Sequence, residues 1–237
     1  DHCLRERDAG RTKGIRAIIV YPMNALAQDQ LERLRGLLAG TGVTFGMYVG
    51  NTPRDDSELS NVTRMEEGHD MGKVPEYSRR FSGHKGMTFI PWEERITEQE
   101  MREDPPMLML TNVNQLEYLL TRGKDLFMFE KAPIRFLVFD EAHTYTGSRG
   151  AEVAVLIRRL RVLCERSVDD LLCIGTSATI TDPSGGDEET LDFASRFFGV
   201  PREKVRVVRE VYKEQEWGSP RFLPDPFGDE AQDLFDS

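Results

Sequence analysis

The fold is indicated by the stretch Phe136-Leu137-Val138-Phe139-Asp140-Glu141-Ala142-His143. Four consecutive apolar residues are typical of a strand that is buried on both faces, as in a parallel sheet. Two carboxylates at the end of such a strand are costly to bury unless a cation compensates them. The stretch therefore predicts a buried strand that carries Asp140, Glu141 and His143 to one edge of a parallel sheet.

A nucleotide with bound Mg²⁺ is the natural partner for this acid pair. We expect Asp140 to hold the metal through water, and Glu141 to orient or deprotonate the attacking water. His143 is expected to link the nucleotide site to a neighbouring loop. An Asp-Glu pair is more often a solvated acidic turn, but the preceding strand and the following histidine favour the metal site here.

Strands and helices are predicted to alternate along the chain, which indicates a doubly wound, mostly parallel α/β sheet with helices on both faces. Hydrophobic runs predict strands at 15–21, 43–49, 107–110, 135–140, 171–175 and 204–208, and a helical period predicts helices at 24–39, 112–120, 150–164 and 188–198. Asn24 is expected to cap the first of these helices. Polar clusters follow four of the strands, at 22–30, 111–112, 140–143 and 176–179. Because chemistry in such sheets lies at the carboxyl ends of the strands, the four clusters predict one shared site.

Two hydroxyl residues, Ser177 and Thr179, follow the predicted strand 171–175. Their side chains are placed to bond the loop that carries Asp140 and His143, which would couple the nucleotide state to a nucleic-acid path. A helix-capping turn is the simpler interpretation of Ser-Ala-Thr alone. The spacing from Asp140 favours the coupling interpretation.

Composition favours a cytoplasmic protein that is not embedded in a membrane. The 237 residues are 39% hydrophobic and 30% charged, without an apolar run long enough to span a bilayer and without a signal peptide at the start. The three cysteines are widely spaced and form no Cys-x-x-Cys pair, so we interpret them as reduced thiols.

The negative charge is concentrated in two segments. The net charge is −10, and Glu93–Asp104 and Glu210–Ser237 contribute −4 and −6 of it. The remainder is therefore neutral, which permits a local basic face for phosphates. For the domain organisation we expect one domain over 1–208 with a loop-rich insertion at about 54–104, followed by an acidic linker or tail over 209–237.

Four motifs in order resemble those of superfamily 2 DEAD/DEAH-box helicases. Tyr21-Pro22-Met23-Asn24-Ala25-Leu26 resembles motif Ia, Leu110-Thr111-Asn112 the Thr-Asn motif, Asp140–His143 motif II, and Ser177–Thr179 motif III. The extended forms Tyr-Pro-Met-Asn-Ala-Leu and Asp-Glu-Ala-His-Thr-Tyr are most similar to the branch of DNA helicases that contains the Hrq1-like and MrfA-like enzymes and helicases of bacterial phage-defence systems.

The resemblance implies a RecA-like motor domain that uses ATP and Mg²⁺ and holds the backbone of one DNA strand. The strand-holding residues carried over by the resemblance are Pro22, Asn24, Ala25, Thr111 and Asn112, acting through backbone amides and short polar side chains. Met23 stands where the family usually has threonine. The family also implies partners: DNA, the remaining domains of the same polypeptide, and other subunits of a defence or repair complex.

The phosphate-binding loop Gly-x-x-x-x-Gly-Lys-Ser/Thr is missing from these 237 residues, because the two Gly-Lys pairs are followed by Val74 and Asp125. We therefore expect a first motor domain that is incomplete at its N-terminus, is part of a larger helicase and is inactive by itself. Two alternatives stay open at this point. One is an RNA helicase, and the other is a non-catalytic nucleic-acid-binding or scaffold module with the same fold.

Overall fold

A parallel sheet of six strands lies at the centre of the described part of the chain, which comprises residues 1–68, 88–177 and 187–209 of a computed structural model. The strands are β1 (Ala17–Tyr21), β2 (Phe45–Met47), β3 (Val62–Arg64), β4 (Thr88–Ile90), β5 (Glu94–Arg95), β6 (Leu108–Asn112), β7 (Phe136–Phe139) and β8 (Leu172–Gly175). The large sheet has the order β5-β2-β6-β1-β7-β8, and every pairing in it is parallel. Strands β3 and β4 form a separate parallel pair.

The described helices connect these strands. They are α1 (His2–Asp8), α2 (Asn24–Leu38), α3 (Glu98–Glu103), α4 (Val113–Leu119), α5 (Gly123–Leu126), α6 (Gly147–Leu163) and α7 (Glu188–Phe198), with short 3₁₀ turns at Asp56–Glu58, Ala142–Thr144 and Arg202–Lys204. Local sequence explains several ends. Helix α3 begins with a capping box between Thr97 and Glu100, and α7 ends at Gly199, whose positive φ of 63° favours glycine.

Helices cover both faces of the sheet because successive side chains of a strand point to opposite sides. On β1, Ile18 and Val20 join a large core with α4, α6 and α7, whereas Tyr21 joins a smaller core formed with α2. Strand β6 divides in the same way, with Met109 in the large core and Leu110 in the small one. The predicted doubly wound, mostly parallel α/β architecture is confirmed.

The predicted insertion contains more regular structure than we expected. Strand β5 within it is an edge strand of the large sheet and pairs with β2. Its residues Glu94 and Arg95 are buried, and Glu94 accepts two hydrogen bonds from Arg35 of α2, at 2.6 and 2.8 Å. Two adjacent charged residues do not resemble a buried strand in sequence, and their burial depends on ion pairs of Glu94 with Arg35 and of Arg95 with Asp104.

Two local predictions are wrong. Residues 204–208 form no strand: Arg202–Lys204 is a 3₁₀ turn, residues 205–208 have no regular structure, and Val208 is 93% exposed, so it lacks the burial that its hydrophobic pattern predicted. Asn24 is the first residue of α2 and not its cap, because Met23 occupies the cap position in extended backbone.

The chain divides into a compact unit over Asp1–Arg206 and a second unit over Val207–Ser237. In the second unit the structure describes only residues 207–209, which contain no helix or strand. The predicted acidic tail, apart from Arg209, and Thr179 lie outside the described residues. Among the residues that are described, no helix has the length and apolar character needed to cross a membrane.

Candidate functional site

Four neighbouring strands end at the same edge of the sheet, in the order β6-β1-β7-β8. Each of them is followed by one of the polar clusters found in the sequence, because parallel strands share the direction in which they end. Contacts join these clusters in two pairs. One pair is formed by the segments that follow β7 and β8, and the other by the end of β6 and the start of α2. The two pairs are adjacent because β1 and β7 are hydrogen-bonded neighbours.

Thr176 fixes the acid pair at the end of β7. Its hydroxyl donates to Asp140 Oδ1 at 2.5 Å and accepts from the Glu141 backbone N–H at 3.2 Å. The Thr176 carbonyl accepts from Ala142 N–H at 2.8 Å. Thr176 belongs to the polar cluster 176–179 that the sequence predicts at this site, although only Ser177 and Thr179 of that cluster were given a role. It orients Asp140 by a charge-assisted hydrogen bond.

Glu141 adopts a left-handed backbone conformation with φ 49° and ψ 47°. This conformation costs a residue with a Cβ atom about 1 kcal/mol or more, and such strain is concentrated at functional sites. The turn is held by the Thr144 hydroxyl, which donates to the Glu141 carbonyl at 2.8 Å. In this turn the Glu141 carboxylate contacts His143.

His143 connects the loops after β7 and β8. Its Nδ1 atom lies 2.9 Å from Ser177 Oγ and 3.1 Å from Glu141 Oε2. The ring tautomer decides whether Nδ1 donates or accepts in the contact with the hydroxyl. The contact that the sequence predicted between Ser177 and this loop is present in the structure.

The arrangement of carboxylates fits a hydrated cation. Glu141 Oε2 is buried, and no described residue other than His143, whose Nδ1 lies 3.1 Å away, is placed to donate to it. A buried carboxylate oxygen with so few donors is suited to receive a water or an ion. Among the described residues no group of three His, Cys, Asp or Glu side chains could enclose a metal. Mg²⁺ suits such a site, since it binds through one or two carboxylates and keeps water and phosphate oxygens as its other ligands.

A cluster of aromatic side chains packs next to the acid pair. The ring of Phe139, which precedes Asp140, packs edge-on against Tyr145 and Phe197. Burial raises the pKa of Tyr145, and burial together with the negative charge of Asp140 raises the pKa of Tyr21 on the neighbouring strand. Both phenols therefore stay neutral. The acid pair lies between this apolar core and the edge of the sheet.

Two asparagines join the last residue of β6 to the first residue of α2. Asn112 Nδ2 donates to Asn24 Oδ1 at 2.6 Å, while Asn112 Oδ1 caps α4 by accepting from Gln115 N–H at 2.7 Å. Asn24 and Ala25 are exposed in the first turn of α2, a turn without a side-chain cap. The backbone N–H groups of such a turn lack partners within the helix and are suited to bind an anion.

Thr111 differs from the other candidate residues for binding a nucleic-acid strand. It is fully buried, and its hydroxyl donates to the Tyr48 carbonyl at 2.7 Å. A direct contact between this hydroxyl and a phosphate is therefore not supported by the geometry. Thr111 instead connects the end of β6 to Tyr48, the residue that follows β2. Pro22, which is half-buried, Asn24, Ala25 and Asn112 remain at the surface.

Fold and site together define a doubly wound α/β domain with an acidic strand-end motif and a polar edge beside it. No family model matches the chain. It is 30% identical to the Druantia protein DruE of Escherichia coli (strain UMEA 4076-1), over 84% of this chain and 14% of DruE. It is 28% identical to the ATP-dependent helicase YprA of Bacillus subtilis (strain 168), over 71% of this chain and 17% of YprA.

Two further proteins extend the comparison. The ATP-dependent helicase Hrq1 of Schizosaccharomyces pombe is 26% identical over 49% of this chain and 10% of its own length. The crystal structure of the DUF1998 helicase MrfA bound to DNA and AMPPNP superposes with a TM-score of 0.51 at 26% identity, covering 84% of this chain and 21% of MrfA. The fold is therefore RecA-like, and the chain is a relative of the superfamily 2 helicases of the Hrq1/MrfA-like branch. It spans less than one fifth of DruE and of YprA.

Proposed function

We propose that this chain is the first motor domain of an ATP-dependent DNA helicase or translocase, in which ATP hydrolysis drives stepping along one strand. The observation that carries the proposal is the acid pair Asp140–Glu141 at the end of the buried strand β7. Thr176 ties this pair to the loop after β8, and the Asn24–Asn112 pair lies on the other side, next to β1. The proposed nucleotide site and the proposed strand-holding edge are therefore adjacent on one parallel sheet.

Asp140 holds Mg²⁺ through water in this proposal, and Glu141 orients or deprotonates the attacking water. Bound Mg²⁺ would supply charge neutralisation for the phosphate oxygens of ATP. Glu141 Oε2 supports the assignment, since it is a carboxylate base for which His143 is the one close polar neighbour among the described residues. His143 and Ser177 would transmit the nucleotide state to the loop after β8. Thr179 is proposed to act beside Ser177 on the strength of its motif.

The DNA backbone is proposed to lie along Pro22, Asn24, Ala25 and Asn112. The N–H groups at the start of α2 and the asparagine amides offer donors to phosphates without reading base sequence. Thr111 is proposed as a residue that supports this loop, because its hydroxyl is already bonded to the Tyr48 carbonyl. The likeness to MrfA, solved with DNA and AMPPNP, supports DNA and ATP as the two ligands.

The remaining parts of the activity are proposed to come from elsewhere in the same polypeptide. A phosphate-binding loop and a second RecA-like domain would complete the ATP site. We propose a cytoplasmic protein that acts with other subunits of a defence or repair complex. We also propose that the 237 residues alone do not hydrolyse ATP, because neither of their Gly-Lys pairs continues to Ser or Thr.

The test of the motor assignment is ATP turnover by the full-length protein that contains these residues, with matched DNA and RNA single strands as stimulants. We expect stimulation by DNA and a loss of at least 100-fold in Glu141→Gln, since removing a general base costs about 10²–10⁴-fold. Glu130→Gln, an exposed carboxylate outside the site, is the matched control and should retain turnover.

Other results would select the alternatives. Preferential stimulation by RNA would indicate an RNA helicase, and nucleic-acid binding without turnover would indicate a scaffold module. Stimulated turnover without strand displacement would reduce the proposal to a translocase or a nucleotide-dependent switch. Nucleic-acid-stimulated turnover by the isolated 237 residues, abolished by Glu141→Gln, would contradict the proposed inactivity of this chain alone.

A further inference from the structure

Helix α4 carries an exposed aromatic residue close to the proposed strand-holding edge. Tyr118 is 50% exposed, although it lies on a helix whose neighbouring residues Leu116 and Leu119 are fully buried. The helix starts immediately after Asn112, which caps it. An exposed large aromatic ring beside a polar edge is a common feature of binding surfaces.

The ring belongs to the same exposed side of α4 as Asn114. Tyr118 and Asn114 are four residues apart, so they are separated by about 6 Å along the helix axis. Asn114 is the second residue of the helix that Asn112 caps. Tyr118 therefore lies about one helical turn from Asn114, near the proposed edge.

The ring is also held in place. Arg122 Cζ lies 4.6 Å from the centre of the Tyr118 ring, and Arg122 Nη1 donates to the tyrosine hydroxyl at 3.3 Å. Arg122 is itself fixed, because it forms an ion pair with the fully buried Asp125 and donates through Nη2 to Tyr48 OH at 2.9 Å. Because the guanidinium already holds the half-exposed ring, binding to Tyr118 requires little further ordering of this side chain.

A chain of contacts connects this ring to the loop after β6. Arg122 reaches Tyr48, the Tyr48 carbonyl accepts from the Thr111 hydroxyl at 2.7 Å, and Thr111 precedes Asn112. Strand β6 lies between β1 and β2 in the sheet, and Tyr48 directly follows β2. The ring therefore extends the Asn24–Asn112 edge on the side away from Asp140.

We propose that Tyr118 is a stacking platform for a nucleobase of single-stranded nucleic acid bound along this edge. The inference rests on the proposed function and deepens it, since it adds a contact to a base where the edge offers contacts to phosphates. Every base has a flat face, so the platform would be tolerant of sequence. The Arg122 guanidinium beneath the ring strengthens the platform by a cation–π contact.

The test is the affinity of this 237-residue chain for a fluorescent oligothymidine strand and for a strand of equal length with abasic sites, measured by anisotropy at fixed low salt. Stacking contributes about 1–3 kcal/mol per base, so Tyr118→Ala should weaken thymine-strand binding by roughly 5- to 150-fold. Tyr118→Phe keeps the ring and should stay within about 3-fold of the original chain. On the abasic strand all of these proteins should bind alike.

Phe127→Ala is the matched control, because Phe127 is also 50% exposed and lies outside α4. Retained affinity in Tyr118→Ala, or an equal loss in Phe127→Ala, would overturn the platform. If Asn24→Ala and Asn112→Ala bind like the original chain while Tyr118→Ala is weakened, the platform stands and the proposed edge fails. Absence of binding by the original chain to both strands would overturn both proposals.

Discussion

Replacing Thr176 by valine should loosen the acid pair without changing the shape of the side chain. Valine has the same branched outline as threonine but lacks the hydroxyl that donates to Asp140 and accepts from the Glu141 N–H. The substitution removes both hydrogen bonds together and leaves the surrounding contacts in place. Thr176→Ser is the matched control, since it keeps the hydroxyl.

The expected loss follows from the two hydrogen bonds. A bond to a charged group contributes about 1.5–3 kcal/mol and a neutral one about 0.5–1.5 kcal/mol. Thr176 is exposed, so water replaces part of both interactions after the substitution. We therefore expect the free energy of unfolding to fall by about 1–2 kcal/mol in Thr176→Val and by less than about 0.5 kcal/mol in Thr176→Ser.

Urea unfolding of the 237-residue chain measures this difference, and a double-mutant cycle with Asp140→Ala assigns it to the Thr176–Asp140 contact. We expect a coupling of about 1 kcal/mol between the two positions, since residues in direct contact are not additive. Additive effects within about 0.3 kcal/mol, or a valine variant as stable as the serine variant, would refute the conclusion that Thr176 positions the acid pair.

Three further predictions concern the supports of the fold. Burial raises the pKa of Glu98, but the hydrogen bond from Arg102 and nearby arginine charges outweigh it, so the pKa lies below its usual value. This contribution to stability is therefore complete above the unfolded pKa of about 4.3 and is lost as pH falls through the lowered folded value. Glu98→Gln should flatten the acid limb of the free energy of unfolding against pH, and an unchanged slope would count against the ion pair. Arg161 is buried and donates to two carbonyls at the end of α7, so Arg161→Met should cost about 2–3 kcal/mol in urea unfolding, whereas the more exposed Arg158→Met should cost less than about 1 kcal/mol. Burial raises the pKa of Cys164 to about 12, so peptide mapping should find it unmodified by iodoacetamide at neutral pH until the chain is unfolded, and rapid labelling of the native chain would contradict its burial.

Long elements with a clear period were predictable from the sequence. The run Phe136–Phe139 forms β7, and α7 occupies the predicted range 188–198. The pattern of β7 reflects burial on both faces, and the pattern of α7 reflects burial on one face. Burial is the dominant local signal in a sequence. The elements that were not predicted correctly are short or charged. Strand β5 is the charged pair Glu94–Arg95, which pairs with β2, and the burial of Glu94 depends on Arg35, 59 residues away.

The residues of the candidate site were predictable as clusters, and their partners were not. Adjacent carboxylates after an apolar run identify Asp140 and Glu141 because few other settings tolerate that combination. The sequence does not indicate the contact of Thr176 with Asp140 or the Asn24–Asn112 pair. The first joins residues 36 positions apart, and the second joins residues 88 positions apart. The burial of Thr111 was likewise invisible, because a threonine at a strand end can face either side.

The sequence by itself determined where the longer apolar strands and the periodic helices lie, which of those strands end in polar residues, and to which helicase branch the motifs are similar. The tertiary structure decided the order β6-β1-β7-β8, and with it which polar clusters touch. The physical reason is that the hydrophobic pattern of a strand records only that it is buried. Its neighbours are chosen by hydrogen bonds and packing between segments that are far apart in the chain, and these create the acid site, the asparagine pair and the exposed ring of Tyr118.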